Sequence, residues 1–177
     1  DDVRAAVATC DATPTKAVDL LLGDRSDEVR ALAASSKNAS PEALAVAVSS
    51  DRAARVRRAA LRNPRCLADA VMAACCDERM VAVAVANSAC APEGLFAALV
   101  TLRSAARETP DGVDSKSPAA KRAADVARTV KDAGRRLAPC DWRWLREFPL
   151  EDLTPEDLDR LLTGHLADAA NDARAAI

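Results

Sequence analysis

A chain of 177 residues with a formal net charge of −2 is long enough for one domain or one short repeat array, and its charge provides no general attraction to nucleic acid or membrane surfaces. Half of the residues are hydrophobic, but only 2% are aromatic and tyrosine is absent, so the core must consist mainly of Ala, Val and Leu. Because alanine is the strongest helix former, this composition predicts an all-α protein. No apolar run is long enough to span a membrane and no signal peptide is recognisable, so we expect no membrane partner and a cytoplasmic location.

A short motif recurs along the first hundred residues. Its leading valines, Val3, Val29, Val56 and Val81, lie 26, 27 and 25 residues apart. Arginine follows the first three of them. A period of this size is typical of stacked supersecondary units, each too small to bury its apolar face alone. We therefore predict four helical repeats over residues 1–102.

Each repeat has two apolar stretches separated by a break that contains Asn, Ser or Pro. In the second repeat, Ser40 is a good N-cap and Pro41 suits the first position of a helix. An aspartate closes each of the first three repeats, at Asp24, Asp51 and Asp77. We expect these aspartates to cap the helix or turn that follows.

The periodicity stops after Leu102. Residues 107–116 are polar and rich in turn formers, which predicts an exposed loop over 103–117. Ser117-Pro118 then begins a predicted inserted helix over 118–138. Residues 139–177 contain both tryptophans and a partial repeat that resumes at Thr154-Pro155-Glu156, so we expect the chain to be a window from a longer array.

The repeated motif resembles that of the leucine-rich-repeat variant family, which is similar in style to HEAT-type repeats. The matching segments are 29–33 with 41–44, 56–60 with 63–64, and 81–87 with 92–95. This resemblance implies a right-handed α-solenoid in which the first element of each repeat is either a 3₁₀ segment or an α-helix. The helix predicted over 118–138 from the sequence is then a helical insertion near the C-terminus. Some members carry a cysteine-rich iron–sulfur segment, but this chain lacks a matching cysteine spacing, so the resemblance implies no cofactor.

The six cysteines, at positions 10, 66, 75, 76, 90 and 140, form no C-x2-C pair. We expect free buried thiols, as in most helical proteins without a secretion signal. A metal or iron–sulfur site built from Cys66, Cys75, Cys76 and Cys90 is the weaker alternative. The single histidine, His165, follows a glycine at a predicted helix end, where a cation is favoured. Without a nucleophile motif or a phosphate-binding loop, the sequence predicts that the protein is not an enzyme.

Arginine is concentrated between residues 52 and 65, where six arginines occur without an acidic residue. Arg4, Arg30 and Arg57 occupy the same place in successive repeats, which predicts a ladder. One interpretation is a solvated face whose arginines pair with Asp24, Asp27, Glu28 and Asp51. The other is a stripe that binds an anion or an acidic partner, with these candidate residues: Arg30, Arg55, Arg57, Arg58, Arg62 and Arg65.

The C-terminal segment holds a second candidate surface. Trp142, Trp144 and Phe148 either anchor this segment to a core or provide interface anchors beside two arginines.

The best functional hypothesis from the sequence is a non-enzymatic repeat scaffold whose concave face binds a protein or peptide. The alternative is a nucleic-acid-binding HEAT-like solenoid that uses the arginine ladder. A HEAT-like DNA glycosylase, with Trp142 or Trp144 beside Asp141, is a third and less favoured hypothesis.

Overall fold

The computed structural model describes residues 2–107 and 117–137, and every regular element within these two ranges is an α-helix. In chain order the helices are α1 Asp2–Thr9, α2 Thr15–Leu21, α3 Asp27–Ser35, α4 Pro41–Ser50, α5 Ala54–Arg62, α6 Ala68–Cys75, α7 Val81–Ala86, α8 Pro92–Arg107 and α9 Pro118–Leu137. The all-α class predicted from composition is confirmed. Among the described helices, none combines the length and apolarity that crossing a bilayer requires.

The first element of each repeat is an α-helix, not a 3₁₀ segment. Helices α1, α3, α5 and α7 begin the four repeats, and α2, α4, α6 and α8 follow them. The leading valines Val29, Val56 and Val81 are buried, whereas Val3 is exposed. Each repeat therefore contributes a pair of α-helices, and three of the four leading valines contribute to the core.

Helix starts follow from local chemistry at two predicted caps. The Ser40 hydroxyl accepts a hydrogen bond from the Ala43 N–H at 3.2 Å, with Pro41 in the first turn of α4. The Ser117 hydroxyl accepts one from the Ala120 N–H at 3.1 Å and begins α9. Both satisfy an amide that the helix itself cannot pair.

The first compact unit comprises Asp1–Ala74 and Ala86–Cys90. Within it, α3 lies between α1 and α5, while α2 packs on α1 and α3, and α4 packs on α5. The first helices of the first three repeats are thus direct neighbours, and α2 and α4 each contact the first helix of the next repeat. Large side chains buried between these helices include Val18, Val29, Leu44, Val56 and Leu61.

The second compact unit comprises Cys75–Val85 and Ala91–Ile177, and its described core lies between α8 and α9. Phe96 and Leu99 of α8 are buried, as are Val130, Ala133 and Leu137 of α9. The last three follow the spacing i, i+3 and i+7, so they lie on one face of α9. The predicted loop began too early, because α8 continues to Arg107. Residues 103–107 consist of good helix formers and one serine, and the first proline follows only at position 110.

Candidate functional site on helix α5

Aspartates shape the turns that precede the first helices of repeats two to four. Each carboxylate accepts a hydrogen bond from the backbone N–H two residues later, at 2.8 Å in all three cases: Asp24 from Ser26, Asp51 from Ala53, and Asp77 from Arg79. This is the local hydrogen bond for which aspartate is favoured in turns. The three aspartates thus stabilise the turns, which is one of the two roles that the sequence predicts for them.

Two arginines of the predicted ladder bind the aspartate that closes their own repeat. The Arg4 Nε lies 2.7 Å from the Asp24 carboxylate. The Arg30 guanidinium makes two hydrogen bonds to Asp51, at 2.8 and 3.1 Å, and is only 5% exposed. Such two-pronged pairs are the strongest arrangement that arginine and a carboxylate can form. Arg30 is therefore committed to an internal ion pair.

The ladder also ties the second and third repeats to the backbone of the preceding turn. Arg30 donates to the Asp24 carbonyl at 2.8 Å, and Arg57 donates to the Asp51 carbonyl at 2.7 Å. In both cases the partner lies six residues earlier in the chain. Arg30 and Arg57 therefore perform the same structural task in successive repeats.

These contacts shift the ionisation of the aspartates. At Asp24, the hydrogen bond from the Ser26 N–H is the largest influence, and with Arg4 it lowers the carboxyl pKa despite partial burial. At Asp51, burial alone would raise the pKa, but hydrogen bonds from Arg30 and the Ala53 N–H outweigh it, so the pKa lies below its usual value. The pKa of Arg30 is raised by its hydrogen bond to Asp51. Both aspartates are thus held as anions at neutral pH.

Buried asparagines form a second set of connections between repeats. The Asn63 amide donates to the carbonyls of Ala34 and Ser36, both at 2.9 Å. The Asn87 amide donates in the same way to Leu61 and Asn63, at 2.6 and 3.1 Å. Each asparagine directly follows a first helix and reaches the last turn of the equivalent helix one repeat earlier. Both asparagines are 4% exposed, and each donates to one carbonyl of a last helical turn, Ala34 or Leu61, that a helix end leaves unpaired.

The second repeat makes this connection with a different residue. Ser36 stands in the place of Asn63, and its hydroxyl accepts only a local bond, from the Asn38 N–H at 3.3 Å. The Asn38 amide instead donates to the Asp11 and Thr13 carbonyls, both at 2.9 Å. Successive repeats are thus still linked, but the link reaches the turn after α1, which ends at Thr9, and not the last turn of that helix. Sequence reasoning identified these asparagines only as helix breaks, although their repeated position after an apolar helix was the available signal.

Two cysteines occupy one repeated buried position. Cys66 and Cys90 each lie three residues after a connecting asparagine, and their N–H groups donate to the carbonyls of Asn63 and Asn87 at 3.0 and 3.2 Å. Ala39 fills this place in the second repeat and Thr13 in the first, and all four are buried. Burial raises the pKa of the Cys66 thiol, which keeps it protonated and unreactive.

The cysteines of residues 2–107 are all unbridged thiols, and Cys10 and Cys76 are the exposed ones. Over the described ranges, no group of three or more His, Cys, Asp or Glu side chains is placed to hold a metal ion.

The remaining candidate arginines lie on the outside of α5 and beside it. Val56, Ala60 and Leu61 face inward, which leaves Arg55, Arg58 and Arg62 exposed on one face of the helix. Arg52 and Arg65 extend the charge beyond the two ends of the helix. We call Arg55, Arg58 and Arg62 the α5 arginine face.

Little in the described structure neutralises this face. Arg55 approaches Asp27 at 3.6 Å, and both side chains are about half exposed. Arg65 donates to the carbonyl of Lys37 at 3.0 Å, which leaves its charge uncompensated. In the part of the chain that the structure describes, Arg52, Arg58 and Arg62 form no ion pair. The α5 arginine face is therefore a site of concentrated positive charge.

The other predicted site residues, Trp142, Trp144 and Phe148, lie outside the described residues, as do Asp141, His165 and Cys140. Comparison of the chain with protein-family models, with curated proteins and with solved structures gives no match.

Proposed function

We propose that the chain is a non-enzymatic helical-repeat scaffold, of the leucine-rich-repeat variant or HEAT-like solenoid type, that binds a protein or peptide. The observation that carries the proposal is the repeated connection between helix pairs by Arg30, Asn63 and Asn87. In solenoids each repeat contacts only its neighbours, so the same contacts recur at every step. In the first compact unit, α3 contacts the first helices on both sides of it, and α2 and α4 each contact the first helix of the next repeat. Stacking of helix pairs produces this set of contacts.

The contrast between buried polar residues, which hold the fold together, and exposed residues supports a binding role. The buried polar side chains Arg30, Asn63 and Asn87 are engaged in connections within the fold. The exposed faces of the helices are not constrained in this way and can differ between repeats. Binding surfaces of repeat proteins are built from such freely variable positions on a regular framework.

The scaffold itself is tested by removing one whole repeat. Deletion of residues 25–51 joins Asp24 to Arg52, so that Asp24 replaces Asp51 beside Arg57 and Asn63 can reach the end of α1. We expect this shortened chain to remain helical and to unfold cooperatively. Deletion of residues 38–51, which removes only α4 and the turn after it and so joins the end of α3 to the start of α5 half a repeat out of register, should unfold. Equal behaviour of the two deletions would contradict the repeat architecture.

The binding role is tested by selecting a displayed random peptide library on the full chain. The control is the same chain with Arg30→Ala and Asn63→Ala, which remove two connections between repeats. We expect a family of related peptides that bind the intact fold and not the control. Absence of any enriched peptide, or equal binding to the disrupted chain, would argue against the scaffold.

A nucleic-acid-binding role is the second candidate, and the α5 arginine face favours it, because arginine pairs well with phosphate. It predicts binding to duplex DNA that weakens steeply between about 50 mM and about 200 mM salt. Absence of binding at the lower salt concentration would remove this candidate.

A further inference from the structure

We infer that the α5 arginine face is the recognition surface for a short acidic peptide segment. The inference rests on the proposed scaffold function and specifies the chemistry of its partner. Arg55, Arg58 and Arg62 follow the spacing i, i+3 and i+7, so they form one row about 10 Å long along the helix. Alternate residues of an extended peptide lie about 7 Å apart on one side, so two carboxylates fit within this row.

The arginines of this row are not required by the repeat. Arg30 and Arg57 occupy equivalent positions in their repeats. In the same sequence alignment, the positions of Arg55, Arg58 and Arg62 in α5 correspond to those of Glu28, Ala31 and Ser35 in α3. Helix α3 therefore forms without any basic residue at these positions. The structural arginine of α5 is Arg57, which is bonded to the Asp51 carbonyl. The exposed row is an addition to the framework that is specific to this repeat.

The row also lacks the internal partners that occupy other arginines. The Asp27 contact of Arg55 joins two half-exposed side chains, and such surface pairs contribute little and exchange readily with a ligand. Arg58 and Arg62 have no acidic partner among the described residues. A carboxylate from a ligand would thus gain charge-assisted hydrogen bonds without first breaking a buried pair.

The surroundings favour a short acidic peptide over a nucleic acid. Asp27 and Glu28 begin α3, the helix next to α5, and place negative charge beside the row. A long phosphate backbone would meet this charge, whereas a peptide of a few residues can stay on α5. The first compact unit also contains no aromatic residue on which bases could stack.

The test is fluorescence anisotropy with the full chain and a labelled peptide of alternating Glu and Ser. A Gln–Ser peptide of equal length and a duplex DNA of about 20 base pairs are the comparison ligands, at about 50 mM salt. The test variant carries Arg55→Gln, Arg58→Gln and Arg62→Gln. The matched control carries Lys121→Gln, Arg122→Gln and Arg128→Gln, which remove the same charge from the exposed side of α9.

We expect the acidic peptide to bind and the Gln–Ser peptide not to bind. The α5 variant should bind about tenfold more weakly, whereas the α9 control should change by less than about twofold. Arg55→Lys with Arg58→Lys and Arg62→Lys keeps the charge but loses the two-pronged geometry, so an intermediate loss is expected. Circular dichroism checks that each variant remains folded.

Three results would overturn the inference: no binding of the acidic peptide, an equal loss in the α9 control, or tighter binding of duplex DNA through the same arginines. These results are separable from failure of the scaffold function. If the library selection gives fold-dependent peptides without acidic residues, the scaffold stands and only the acidic partner is wrong. If the selection gives no peptide at all, the scaffold function fails.

Discussion

The guanidinium of Arg30 and the carboxylate of Asp51 are joined by two hydrogen bonds, at 2.8 and 3.1 Å, although 21 residues separate them in the chain. Arg30 belongs to α3, and Asp51 forms the turn that leads into α5. The pair therefore fixes the position at which one repeat ends and the next begins.

Removing Arg30 should destabilise the fold strongly. Arg30→Ala leaves the Asp51 carboxylate largely buried without its partner, and we expect the free energy of unfolding to fall by about 3 kcal/mol. The exposed Arg58→Ala should change it by less than about 0.5 kcal/mol. Urea unfolding followed by circular dichroism measures both values. If the two variants lost the same amount of stability, the pair would have no special structural role.

The buried asparagines should be nearly as sensitive. Asn63→Ala leaves the Ala34 carbonyl without its side-chain donor and the Ser36 carbonyl with only the Ala39 N–H, and we expect a loss of about 2 kcal/mol. Asn38→Ala removes a similar pair of hydrogen bonds from a half-exposed side chain, where water can replace the donor, so its loss should be smaller. Thermal unfolding of the two variants compares them directly. A larger loss for Asn38→Ala would show that burial does not determine the strength of this connection.

Stability should decline in acid because of the paired aspartates. The folded-state pKa values of Asp24 and Asp51 lie below the ordinary value of 3.8, so the unfolded chain binds more protons than the native chain at low pH. Their contribution is present above about pH 4 and is lost as the pH falls through the lowered values. Urea unfolding at pH 6 and pH 3 should show this loss.

The control for the acid effect is Asp51→Asn, which should be less stable at neutral pH but should lose less stability between the two pH values. An unaltered acid response in Asp51→Asn would exclude this aspartate as a major source.

Thiol reactivity should follow burial. In the native chain, a thiol reagent should modify Cys10 and Cys76 before Cys66 and Cys90, because the last two are buried and burial raises the pKa of Cys66. Mass spectrometry of tryptic peptides after brief labelling identifies the modified residues. In urea, the difference between the four cysteines should disappear. Early labelling of Cys66 in the native chain would mean that its surroundings open readily.

The sequence predicted those features that arise within a few residues. Helix class followed from alanine content, the starts of α4 and α9 followed from Ser40 and Ser117, and the turn-forming role of Asp24 followed from its place before a helix. These effects depend on backbone groups only a few positions away.

The sequence could not separate arginines of different function. Arg30, Arg57 and Arg58 look alike as residues, and their roles depend on which carboxylate or carbonyl lies opposite them after the helices pack. Position within the repeat identifies Arg30 and Arg57 as equivalent, but burial of one and exposure of another require the tertiary structure. The end of α8 was also missed, because a helix persists until a breaker occurs and not until the repeat pattern ends.

The second repeat shows that the side chain linking two repeats need not occupy a fixed position. Ser36 stands in the place of Asn63, and Asn38, two residues later, makes the link. A sequence profile that demands asparagine directly after each first helix would recognise Asn63 and Asn87 but would pass over the second repeat. Related arrays whose links have moved in this way will share a backbone although their linking asparagines occupy different positions. Structural superposition of the turns detects such relatives better than sequence alignment does.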